Sequence, residues 1–202
     1  MAGENGKKTV GISAYATAAD FKQIFTEDIN SLYLLSLLLT GNPEKAEECF
    51  VTGIGESTKG NHVFKEWARS WARRTIIQSA IRLINPRERS VTTIRSSDVE
   101  YLMDRIPMVL QAEVSAILEL APVERFVFVM SVLEHYSDHD CSILLGCARR
   151  DIITVRVRAM RRLATVLGIK DNSPMDAESE TVIELVIAQH FAAAPWTRSL
   201  SQ

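Results

Sequence analysis

SDHDCSILLGCARRDIITVRVRAMRRLATVLG, residues 137–168, is the stretch from which the rest of the chain is read. Ser137 is a good helix cap, and Asp140 three residues later completes an acidic variant of the capping box. Cys141, Leu144 and Leu145 follow at i, i+3 and i+4, and Gly146 supplies a tight turn into a second helix predicted to start near Ala148. At about 100° per residue, Ile152, Val155, Ala159, Leu163 and Val166 fall on one side of that helix. Arg150, Thr154, Val157, Arg158 and Arg161 fall on the other, with Arg149 and Arg156 adding to the local charge. A helix that is apolar behind and arginine-rich in front suits the second helix of a helix-turn-helix, the element that enters the major groove of DNA.

Composition sets the bounds. A length of 202 residues allows one or two domains and a substantial core. With 47% hydrophobic and 24% charged residues the chain reads as an ordinary globular protein. Its net charge of −2 carries no global signal for nucleic acid, so any such signal is local. Cys49, Cys141 and Cys147 sit inside apolar helical patterns without CxxC or zinc spacing, which predicts buried, reduced thiols. His135 and His139 form an i, i+4 pair without the glutamate of HExxH, and neither a metal nor any other cofactor is expected. Residues 1–9 are polar, and the longest apolar run, 32–39, is far short of the roughly 20 residues of a membrane span. The expectation is a soluble, cytoplasmic protein.

Outward from the helix-turn-helix, residues 1–19 are small and polar and are expected to form a disordered tail. One helix is predicted from a cap at Asp20 through Phe21, Ile24, Phe25, Ile29, Leu32 and Tyr33 into LLSLLL, ending at Thr40-Gly41-Asn42-Pro43. A second follows with Ala46, Cys49, Phe50, Gly53 and Ile54 as its core stripe, then a loop over 55–62. Residues 63–84 read as a long helix with Phe64, Trp67, Trp71 and Thr75 on one side and Lys65, Arg69 and Arg73 as a basic stripe. Between positions 65 and 89 there are seven basic and two acidic residues, a local excess of five positive charges. Asn85-Pro86 stops that helix. Residues 89–119 are read as a linker carrying a short helix near 98–103 and a weak one over 109–120. Pro122 opens a helix over 123–135; its FVFVMSVL run is β-branched, but a lone strand in a helical chain would have no partner. The tail, 169–202, is acidic and includes one further amphipathic helix over 181–193, on Ile183, Val186, Ile187 and His190.

In this order the elements resemble the sigma-70 family of bacterial RNA polymerase sigma factors, most closely the small two-domain extracytoplasmic function type. The residues that carry the likeness are Leu39-Thr40-Gly41 followed by Ala46-Glu47-Glu48, then Phe64-x-x-Trp67 with Ala72-Arg73 behind it, and Leu144-Leu145-Gly146. The resemblance implies an all-α fold with a region 2-like domain over 20–88 and a region 4-like helix-turn-helix domain over 120–168. It implies promoter DNA and the clamp helices and flap of core RNA polymerase as partners, and an anti-sigma factor as a further one. Residue by residue, it places Glu44, Glu47 and Glu48 on the polymerase. Lys65, Trp67, Arg69, Arg73 and Arg74 then fall on the −10 element, and Arg149, Arg150, Thr154, Arg156, Arg158 and Arg161 on the −35 element.

Each assignment competes with a plainer one. Trp67 and Trp71 share a side with Phe64 and could both be core; stacked on unpaired bases, they would each be worth about 1–3 kcal/mol. The arginines of the second helix could be a solvated face, and so could Glu44–Glu48. Three function classes follow: a sigma-like initiation factor; a regulator or adaptor of the same fold that no longer docks on polymerase, to which Val51 and Ile54 in the clamp-facing helix point; and an enzyme. No Ser/His/Asp order, P-loop or GxGxxG supports the last, and no small-molecule substrate or membrane contact is expected.

Overall fold

A computed structural model describes residues 14–59, 62–87, 106, 108–169, 185–187 and 189–191, and among them the fold is all helical. Helix α1, Ala18–Glu27, is capped by Thr17, whose hydroxyl accepts from the Asp20 backbone at 3.2 Å while the Asp20 carboxylate accepts from the Thr17 backbone at 2.7 Å. The helix therefore starts earlier than a cap at Asp20 would allow. Nor does it run on into LLSLLL. At Asp28 (φ −100°, ψ 17°) the backbone leaves the helical region, and α2, Ile29–Thr40, begins on a new axis. The break lets Phe21, Ile24 and Phe25 fold down onto the bundle while Leu32, Leu35, Leu37, Leu38 and Leu39 are buried almost all round α2, as its lack of a polar face demands.

Gly41 ends α2 in the left-handed region (φ 64°), and Asn42 caps α3, Pro43–Thr58, with Pro43 at its first position. The expected loop from residue 55 is instead the last turn of α3, held by the Thr58 hydroxyl donating to the Ile54 and Gly55 carbonyls. Ala46, Cys49, Gly53 and Ser57 form its buried seam, with Phe50 and Ile54 half-buried beside them. A Cβ at Gly53 would collide with the Ile76 side chain, so glycine sets how closely the next long helix approaches. That helix, α4, runs over Ala68–Ile84 behind a 3-10 turn at Lys65–Trp67. Residues 63–67 are not part of it, because Val63 and Lys65 are drawn into backbone bonds with Ala16 (2.7 Å) and Ala14 (3.0 Å). Beyond Arg74 the apolar phase resolves: Ile76, Ile77, Ala80 and Ile84 all face the core.

Part of the expected linker is core. Helix α5, Met108–Leu118, buries Leu110, Val114, Ala116 and Ile117. FVFVMSVL is helical as predicted, split into α6, Pro122–Phe128, and a π turn, Val129–Leu133. Every residue from Glu124 to Met130 is buried. Next come α7, Asp138–Leu145, and α8, Arg149–Val166, joined through Gly146 in the left-handed conformation (φ 62°). Ile152, Ala159 and Leu163 are buried as expected. Met160 and Ala164 join them, whereas Val166 is exposed, because the seam against α6 drifts round α8. Of the C-terminal helix, residues 185–187 and 189–191 are described and helical; Ile187 and Phe191 are buried, the latter edge-on to Phe128 at 5.0 Å. Residues 1–13 of the tail expected over 1–19, the short helix near 98–103, and Ile183 with the rest of the acidic tail over 170–184 and 192–202 lie outside the described residues, whereas 14–19 are no loose tail: they bond to Val63 and Lys65 and open α1.

One side chain joins the N-terminal and C-terminal helices in an unexpected way. Arg125 of α6 is 1% exposed, yet among the described residues no carboxylate meets it. Its guanidinium donates to the Leu39 and Thr40 carbonyls at the end of α2 and to the Leu118 and Leu120 carbonyls at the end of α5, at 3.3–3.4 Å. Two helix C-termini, each with negative partial charge and orphan acceptors, thus stand in for an anion. Burial still pushes the Arg125 pKa down to about 10, so the group stays protonated at neutral pH.

Candidate nucleic-acid interface

The helix-turn-helix is assembled from its capping chemistry upward. The Ser137 hydroxyl accepts from the Asp140 backbone at 3.1 Å and donates to its carboxylate, starting α7, and Cys141 and Leu145 turn into the core. Burial pushes the Cys141 thiol up to about 11, and the Cys49 thiol likewise, so neither is a thiolate at neutral pH.

On α8 the candidate DNA-reading side chains divide into two sets. Arg149, Arg150 and Thr154 are exposed at the N-terminal end, the end that meets base edges in a major-groove helix. The Arg150 side chain is 90% exposed, with only a 3.7 Å approach to Asp151. Arg161 continues this face, as does Arg158, which also approaches Glu124. The second set is held by acids of the neighbouring helices. Arg156 is half-buried and ion-paired with Asp138 in the first turn of α7, clamping the two helices at their working angle. Arg162 donates to Glu124 at 2.9 Å, with Arg158 3.8 Å from the same carboxylate. Glu124 is only 3% exposed and fixes the C-terminal half of α8 on α6.

The basic stripe before and along α4 is present as a stripe, but its charges are spoken for. Lys65 meets Asp20 at 3.2 Å. Arg69 is shared by Glu27 and Asp28, with Asp28 the larger influence in raising the guanidinium pKa. Arg73 makes a two-pronged pair with Glu134, a residue of the C-terminal half, and donates to the Ser31 hydroxyl at 2.9 Å. Trp67 and Arg74 differ from them. Trp67 is 60% exposed, braced edge-on by Phe64 at 5.5 Å. Arg74 has no carboxylate partner among the described residues and lies against the Tyr136 phenol. Trp71 is half-buried against the core.

Glu44, Glu47 and Glu48 are exposed along one side of α3, continued by Val51 and Thr52. Among the described residues no three His, Cys, Asp or Glu side chains form a group able to hold a metal, and no helix is long and apolar enough to cross a membrane. Sequence reasoning missed the acids Glu124, Glu134 and Asp138, which decide which arginines are available. A buried acid at the opening of α6 and acids flanking the turn before α7 were visible, but their partners lie 18 to 61 residues away in the chain.

No family model matches this chain, and no curated protein or solved structure matches it.

Proposed function

We propose that the chain is a sigma-like, non-catalytic transcription initiation factor of the bacterial cytoplasm, with the residues up to α4 as its region 2-like half and α6 to α8 as its region 4-like half. The observation that carries this reading is the exposed Arg149, Arg150, Thr154 and Arg158 face on a helix whose rear is locked into the core. Arginines there neutralise phosphates, and one gripping a guanine through two bonds discriminates by about 1–3 kcal/mol. Glu44, Glu47 and Glu48 are the surface offered to core polymerase.

A second reading, an adaptor or regulator that binds DNA without docking on polymerase, is favoured by two observations. Val51 is 66% exposed in the middle of the acidic α3 face. Lys65, Arg69 and Arg73 are paired with acids, which leaves less charge for a −10 strand. Run-off transcription with core polymerase on a genomic promoter library, run beside co-purification with the core enzyme, separates the two. Promoter-specific transcripts support the first reading. DNA binding without polymerase retention moves the assignment to the second, and absence of DNA binding overturns both.

A further inference from the structure

An open cleft of about 550 Å³ lies between the start of α4 and the segment that leaves the π turn. Its floor is one face of α4, Trp67, Ser70, Trp71 and Arg74 at i, i+3, i+4 and i+7. The opposite wall is His135 and Tyr136, with Glu134 and Asp140 at the margins. The volume is in the range of small-ligand sites, and the lining sets three aromatic rings beside Arg74 and two histidines, His62 and His135.

Two further observations point to a ligand. His135 holds φ 57°, a left-handed conformation that a non-glycine residue adopts at a cost, directly after a π turn; both features cluster at functional positions. Trp67 leaves a large indole face in solvent beside Arg74, whose charge no acid neutralises among the described residues. Of the acids in the lining, Glu134 is neutralised by Arg73, whereas Asp140, hydrogen-bonded to the Ser137 hydroxyl, keeps its charge. A nucleic-acid strand fits less well, because Lys65, Arg69 and Arg73 are already paired with acids.

We infer that this cleft binds a free, planar aromatic anion of mononucleotide size, its ring on Trp67 and its negative group on Arg74. Because His135 and Tyr136 come from the C-terminal half, the ligand touches both halves at once. The inference stands on the cleft alone and is independent of the promoter-reading proposal.

Titration calorimetry on the full chain tests it with five titrants: adenosine monophosphate, indole-3-acetate, adenosine, inorganic phosphate and a short single-stranded oligodeoxynucleotide. Saturable binding of the nucleotide or the aromatic carboxylate is expected, with adenosine and phosphate each at least about tenfold weaker. Trp67→Ala and Arg74→Gln should each weaken the bound anion about tenfold, and Trp67→Phe, which keeps a ring, should restore most of the loss. Thermal melts by circular dichroism check that these variants fold, which the exposure of Trp67 favours. Failure of both aromatic anions to saturate would overturn the inference. So would binding untouched in both Trp67→Ala and Arg74→Gln, or an oligonucleotide that binds where neither small anion does.

Discussion

Replacing Arg125 with methionine removes a buried charge while keeping a flexible apolar chain of similar reach, and the two consequences oppose one another. Burial has pushed the guanidinium pKa down to about 10, which sets roughly 3 kcal/mol against its charged form. Methionine removes that cost. It also leaves the Leu39, Thr40, Leu118 and Leu120 carbonyls without their donor. A buried unsatisfied acceptor costs about 1–3 kcal/mol, and bonds this long belong at the low end, so the four together forfeit about 4–6 kcal/mol. The net expectation is a variant less stable by about 1–3 kcal/mol, read as a lower urea midpoint at unchanged slope by far-UV circular dichroism. Gly41→Ala supplies the cross-check. A Cβ there would sit 2.8 Å from the Arg125 Cζ, on a residue at φ 64°. Alone it should cost more than the ~1–2 kcal/mol of the left-handed conformation. Combined with Arg125→Met, the collision is gone and only the backbone cost remains, so the two changes should be non-additive by about 1 kcal/mol or more. A methionine variant as stable as the parent, or strict additivity in the cycle, would refute the assignment of Arg125 as the carbonyl-satisfying staple.

Glu134→Gln strips Arg73 of its two-pronged partner in a half-buried setting and should destabilise by about 2–4 kcal/mol in the same urea assay, whereas Lys65→Gln, at an exposed pair, should leave the midpoint unmoved. The Cys49 and Cys141 thiols ionise near 9 in the unfolded chain but only near 11 when folded, so the folded state holds the extra protons and stability falls as pH rises from 9 to 11. Each contributes a slope of up to about 1.4 kcal/mol per pH unit, and a Cys49→Ala/Cys141→Ala double variant should lose that part of the slope. A thiol reagent at pH 8 should leave both unmodified until urea is added. Arg150→Ala should weaken specific promoter binding by about 1–3 kcal/mol and bulk DNA binding by less, measured at one salt concentration; equal losses would make Arg150 a phosphate contact.

Helix ends were legible where glycine or proline set them: Gly41 with Pro43, Pro122, and Gly146 between α7 and α8 all stand where the pattern put them. The kink at Asp28 was not, because no glycine or proline marks it and the apolar period runs straight through. The start of α4 was misplaced for a tertiary reason, since residues 14–16 pair with the stretch that local preference assigns to helix. The arginine face of α8 was visible as a periodicity, but its inward members were not, since Asp138 and Glu124 select them across space. Nothing in the sequence pattern singled out Arg125. Its acceptors are carbonyls up to 86 residues away, which no side-chain pattern encodes.

Glu124 and Arg125 are neighbours in sequence at the opening of α6, and they look in different directions. Consecutive helical positions lie about 100° apart, so one rigid turn presents an anion toward Arg158 and Arg162 of α8 and a cation toward the end of α2. The dipeptide therefore behaves as a crank. Rolling α6 to re-aim α8 would drag the Arg125 fork off the Leu39 and Thr40 carbonyls, and shifting α2 would pull on the carboxylate that seats α8. Orientation of the arginine face and the packing of the N-terminal helices are one mechanical variable, transmitted through two adjacent side chains.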